Sequence, residues 1–163
     1  VSLRDRLTQR QLPSTRVSLR IDFSPEADAA EDALRNALLE LQIAEAGRLG
    51  VEEAQAKVDA AQAVVDEGYE HMVVNALPPA DMDALIAAHP PTAEQKQRDQ
   101  SVVWNEDTFR PAVLAACVEG DTTETDWREL IEKGAVTLGE VRALVNAAML
   151  ANDRSIDVRV GKG

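Results

Sequence analysis

Two histidines, one cysteine and several pairs of adjacent acids are the residues whose types could do chemistry. His71 or His89 could act as a general acid or base, or as a metal ligand, if acids or a nucleophile gathered around it. Neither belongs to an HExxH spacing. Both read as structural or surface side chains, ahead of a small enzyme or metal-dependent hydrolase built on one of them. Cys117 follows Leu114-Ala115-Ala116 and precedes Val118-Glu119. A reactive thiolate needs an electropositive, partly open setting, so Cys117 reads as a small buried hydrophobe. Glu31-Asp32, Glu52-Glu53, Asp66-Glu67 and Glu106-Asp107 have the type for acid-base work or for a divalent cation. No DxDxDG loop orders them, and they read as solvated helix faces. Phosphate-binding loops and a nucleophile elbow are absent from the sequence. We therefore expect no catalytic residue, no metal site, no cofactor, and a protein that is not an enzyme.

The elements that must position these residues follow from periodicity and caps. Arg16 to Phe23 alternates, with Val17, Leu19, Ile21 and Phe23 on one side, as in a half-buried strand. Ser24-Pro25-Glu26 is a helix start. Leu34, Leu38 and Leu41 follow at helical spacing, and Gly47 and Gly50 interrupt them. Val51, Ala54, Val58, Ala61 and Val65 then resume a stripe at spacings of three and four. These two stretches predict an antiparallel helical hairpin turning near Arg48-Leu49-Gly50. Tyr69 to Leu77 is β-like and stops at Pro78-Pro79. Beyond it come a short helix over 81–89 and a polar segment opened by the capping-box spacing Thr92–Gln95. A helix over 108–118 follows, with Pro111 in its first turn. Thr123–Asp126 and Thr137–Glu140 then start two more helices.

The predicted fold class is mainly α with a small antiparallel β element (α+β). A long helical hairpin is inserted between two strands and followed by a C-terminal bundle of about four short helices. The boundaries are a basic N-terminal arm over 1–15, strands over 16–23 and 69–77, and an acidic hairpin over 24–68. A C-terminal helical domain over 78–153 and a loose tail over 154–163 complete the chain.

Composition narrows the function classes. The 163 residues carry 29 acids against 17 bases, a formal net charge of −12. Such a surface repels phosphate, so nucleic acid is not the expected partner. The charge is uneven: residues 1–20 hold five arginines and one aspartate, whereas residues 26–67 hold eleven acids and three bases. Only 3% of the chain is aromatic, and Trp104, Phe109 and Trp127 read as core of the C-terminal part. One cysteine permits no internal disulfide. Apolar runs are far shorter than the ~20 residues that span a bilayer. Residues 1–6 lack the apolar run of a signal peptide, so the chain reads as soluble, intracellular and without a membrane partner.

Several short motifs follow one another in a definite order. Leu77-Pro78-Pro79 leads to Leu85 and to His89-Pro90-Pro91; Trp104-Asn105 precedes Thr108-Phe109-Arg110-Pro111; Trp127 sits on the next helix; the last helix closes at Asn152. This order, over roughly residues 70–153, resembles the tail assembly chaperones of long-tailed (siphovirus-type) actinobacterial phages and prophages. The resemblance implies a non-enzymatic phage tail assembly chaperone in the cytoplasm of the bacterial host. It would bind the helical tape measure protein, and the tail tube protein as a second partner, and keep the former soluble during tail tube assembly. The alternative from the same gene region is a structural tail or connector protein of the virion. The family supplies no catalytic residues.

A holdase of this kind needs apolar grooves. The candidate partner-binding groove lies between the C-terminal helices and is lined by Leu114, Trp127, Leu130, Ile131, Leu144, Val145 and Met149. Coating a long client with many copies makes a homo-oligomer the expected state. Candidate self-association residues are Arg4, Arg6 and Arg10 in the basic arm, and Leu34, Leu38, Leu41, Val51, Val58 and Val65 in the hairpin.

Overall fold

The computed structural model describes residues 2–153; the tail expected over 154–163 lies outside the described residues. Helix α1 (Leu3–Thr8) begins at a capping box, Ser2 with Asp5, and buries none of its side chains. Strand β1 (Ser14–Arg20) follows, then α2 (Pro25–Gly47), α3 (Val51–Asp66) and strand β2 (Tyr69–Asn75). Five more helices complete the described chain: α4 (Pro79–Ala88), α5 (Ala93–Arg98), α6 (Glu106–Cys117), α7 (Glu124–Glu132) and α8 (Leu138–Asn152). The fold is mainly α, with β1 and β2 forming a two-stranded antiparallel sheet. Among the described residues no helix is long and apolar enough to cross a membrane.

The described residues divide into two compact units. One is Ser18–His71; the other comprises the residues up to Val17 and from Met72 on. The division falls inside both strands.

In the Ser18–His71 unit, Ser24 caps α2 by accepting from the Ala27 amide at 3.2 Å, with Pro25 at the first helical position. Ala30, Leu34, Ala37, Leu41 and Ala44 recur every three or four residues and turn toward α3. Ala54, Val58, Ala61 and Val65 answer from α3. The seam is thin, because only Ala37, Ala54 and Val58 are fully buried. The turn is a Schellman motif: the Leu49 amide donates to Ala44 O at 3.1 Å and the Arg48 amide to Glu45 O at 3.2 Å. The left-handed residue of that motif is Arg48 (φ 53°). Gly50 (φ 70°) then starts α3 without any side-chain cap.

The other unit is built around α6. Phe109, Val113, Leu114 and Cys117 point from α6 into a core shared with Val74, Met82, Trp127, Leu144 and Ala148. The β2 residue Val74 also makes an antiparallel bridge with Val118, just past α6. The expected capping boxes at Thr92, Thr123 and Thr137 are all formed. A second Schellman turn ends α7, with the Ala135 amide on Leu130 O and the Gly134 amide on Ile131 O. Here the left-handed position is filled by Gly134 (φ 70°).

Two expectations need correction. The strand alternation stops at Arg20, so Ile21 and Phe23 are exposed at 58% and 70%. The Ile21 and Asp22 amides both turn to Gly68 O, and Asp22 Oδ1 accepts from the Ser24 amide, which breaks the strand. Asn105 caps α6 two residues earlier than expected, so Pro111 stands in the second turn, not the first. Its missing N–H leaves only the Asp107 carbonyl, at an exposed helix start, without an intrahelical donor. The polar segment after Thr92 forms a short helix of its own, α5, among the helices of the C-terminal part.

Candidate functional site

Strand pairing brings His71 of β2 opposite Ser18 of β1, with Ser18 Oγ and His71 Nδ1 2.9 Å apart. The imidazole tautomer decides which of them donates. On the other side, His71 Nε2 lies 3.9 Å from Asp66 Oδ1. Serine, histidine and aspartate thus stand in the order that nucleophilic catalysis uses. The second contact is beyond hydrogen-bond reach, and all three side chains are exposed. Open water at all three leaves no preorganised, water-excluded field for a developing charge. The contact works as a cross-strand pair.

His89 is half-buried, edge-on to Phe109 with ring centroids 6.2 Å apart. Its carbonyl accepts the Asn105 amide at 2.8 Å. Cys117 is 1% exposed. Burial pushes its thiol above the ordinary value, against a smaller opposite effect of the Asn152 amide 3.8 Å from Sγ. It fills core space, as its apolar neighbours predicted.

The acid pairs do not converge. Glu31 accepts from Tyr69 Oη at 2.8 Å and lies 3.3 Å from the Arg20 guanidinium. Asp32 pairs with Arg35 and Glu106 with Arg110 along their own helices. Glu52, Glu53, Glu67 and Asp107 are exposed. Among the described residues no three His, Cys, Asp or Glu side chains are placed to hold a metal ion. Arg20 also donates to Asp28 Oδ1 at 2.6 Å. The bond to Glu31, with burial second, holds the Tyr69 hydroxyl above its usual range. This cluster borders a depression of about 300 Å³ beside Asp22, Glu26 and Glu67, and its polar groups satisfy one another.

The proposed groove is largely closed. Leu114, Trp127 and Leu144 are 0%, 4% and 1% exposed, so they are core and cannot line an open groove. Their helices meet over α6 and interdigitate there. Leu130 and Met149 are half-buried against that core. Ile131 and Val145 reach the surface in two shallow depressions. One, about 200 Å³, has Arg128, Pro111 and Glu132 around Ile131; the other, about 160 Å³, has Trp104, Arg142 and Asn146 around Val145; Arg110 borders both.

The self-association residues also separate. Leu34, Leu41, Val58 and Val65 close α2 on α3 and are spent within one chain. Arg4, Arg6, Arg10, Leu38 and Val51 stay exposed.

Sequence reasoning missed what the motif residues do. Asn152 Oδ1 accepts the Leu77 amide at 2.8 Å, while its Nδ2 donates to Ala148 O at 2.8 Å. Asn105 Oδ1 accepts from the Asp107 amide and from Gln95 Nε2, both at 3.1 Å. Trp104 stacks on Phe109 with centroids 4.6 Å apart. The motifs are therefore fastened in two pairs, Leu77 of LPP to the final Asn152 and His89 of HPP to Asn105 of WN. Asparagine beside a helix end was the available signal, but its distant partner was not. In comparisons with known proteins, no family model, curated protein or solved structure matches this chain.

Proposed function

We propose that this chain is a non-enzymatic tail assembly chaperone of a long-tailed phage or prophage. It binds the helical tape measure protein and keeps it soluble during tail tube assembly in the cytoplasm of the bacterial host. The supporting observation is the ordered motif run from Leu77 to Asn152, whose residues serve one α-helical unit. The net charge of −12 supports the same reading, since repulsion keeps a complex with an aggregation-prone client dispersed. With Leu114, Trp127 and Leu144 in the core, the client contact narrows to Ile131 and Val145 in their depressions. Arg142 flanks Val145, whereas Arg110 and Arg128 are paired with Glu106 and Glu124, and Asp107 and Glu132 stand beside them at Ile131. The apolar groups there suit the apolar stripe of a client helix.

Co-expression with the long helical product of the neighbouring reading frame tests this. The expected result is a soluble complex, lost when Ile131→Asp and Val145→Asp are combined without change in helical circular dichroism. A client that aggregates equally with and without the chain sinks the chaperone reading. Mass spectrometry of purified particles adds a second test: a chaperone is absent, whereas a connector remains at a symmetric copy number.

A further inference from the structure

Among the described residues, helix α1 has no partner surface. It has six residues and buries none of them, and isolated helices shorter than about 12 residues are marginal in water. Leu3 and Leu7 stand one turn apart, 64% and 56% exposed, with Arg4 and Arg6 beside them and Arg10 just beyond. A matching stripe exists on α2. Leu39 and Ile43 also stand one turn apart, 54% and 73% exposed, on the side away from the α3 seam. Helix α2 carries six acids and one base. Both stripes are apolar and of equal length; Arg35, one turn before Leu39, pairs with Asp32, Glu40 pairs with Lys57, and the excess of acid belongs to α2 as a whole.

We propose that α1 of one copy docks on the Leu39–Ile43 face of α2 in a second copy, joining chains head to tail. Charge selects this pairing. Two hairpins meeting face to face would bring two strongly acidic surfaces together, which like-charge repulsion opposes. Basic α1 on acidic α2 removes that repulsion and covers four exposed aliphatic side chains. The contact is heterologous, because the two surfaces differ. Each chain keeps one donor and one acceptor face free to continue the row. The proposal does not rest on the chaperone reading.

Analytical ultracentrifugation of the purified full chain decides it. The wild-type mass should rise with concentration and fall toward the 17.7 kDa monomer at high salt, where exposed charges are screened. Arg4→Glu, Arg6→Glu and Arg10→Glu together should weaken association about tenfold or more. Leu39→Asp with Ile43→Asp should do the same, with unchanged helical circular dichroism because both sites are exposed. Mixing these two variants is the sharpest arm: one retains an intact α2 face and the other an intact α1. The mixture should form one-to-one dimers and nothing larger, while each variant alone stays monomeric. A wild-type chain that stays monomeric up to about 1 mM overturns the proposal. So does an arginine-reversed variant that associates like wild type, or a mixture that fails to dimerise. The chain alone is measured, so failure here leaves the client test untouched, and failure there leaves this one untouched.

Discussion

The Ser18–His71 unit and the unit built on α6 use similar helices to different ends. Around α6, Phe109, Val113, Leu114, Val141 and Leu144 are at most 1% exposed, so large side chains carry the burial. In the hairpin the buried residues are Ala37, Ala54 and Val58, while Leu38, Leu39, Ile43 and Val64 face water. Burial stabilises in proportion to the apolar area removed from water. The α6 unit thus spends its large apolar residues on itself, and the hairpin leaves many of its own for something else. The difference recurs in the turns. Gly134 occupies the left-handed position after α7 without strain, whereas Arg48 occupies the equivalent position after α2. Helices α7 and α8 start from capping boxes, and α3 starts from an uncapped Gly50.

This contrast can be broken by mutation. Leu114→Ala should cost about 3–5 kcal/mol in urea denaturation, since a fully buried leucine leaves a cavity. Val58→Ala should cost only about 1–2 kcal/mol, in proportion to the smaller group removed. Equal losses at both sites would abolish the distinction. Asn152→Ala should cost about 1–3 kcal/mol, because the part-buried Leu77 amide loses its acceptor. An unchanged midpoint would mean that water replaces the clamp. Arg48→Gly should raise stability by about 1 kcal/mol, and Gly134→Ala should lower it by a similar amount. Both are read from the same denaturation curves.

The smallest effect concerns acid. The hydrogen bond from the Thr123 hydroxyl, and then that from its amide, hold Asp126 below the usual carboxylate range. A depressed folded pKa gives stability that is present above the unfolded value of about 3.9. That stability is lost as pH falls through the folded value. Stability measured from about pH 5 down to about pH 2 should therefore fall less steeply in Asp126→Asn than in wild type. Parallel curves would show that the exposed cap contributes nothing.

Local order is legible in the amino-acid sequence. The alternation from Arg16 marks β1, the stripes at Leu34 and Val51 mark the two hairpin helices, and Thr123 and Thr137 mark helix starts. Each signal is completed within a turn or two of chain. The phase was lost where a bond to a residue distant in sequence cut the pattern short, as Gly68 does at Ile21 and Asp22. The groove was misread for a different reason. Leu114, Trp127 and Leu144 have the same apolar types whether they line an opening or fill a core, and only the approach of α7 and α8 to α6 decides between them.

The sequence by itself determined the mainly α fold with its inserted hairpin, the helix starts, and the segregation of basic arm from acidic hairpin. These depend on residues within a few positions of one another, or on composition alone. The tertiary structure alone decided that Asn152 holds Leu77 across a separation of 75 residues. It alone set His71 between Ser18 and Asp66, and it closed the groove while leaving Leu39 and Ile43 open. Such outcomes depend on which helix faces meet, and apolar attraction is non-directional. Shape and packing choose the partner, and they exist only once the chain has folded.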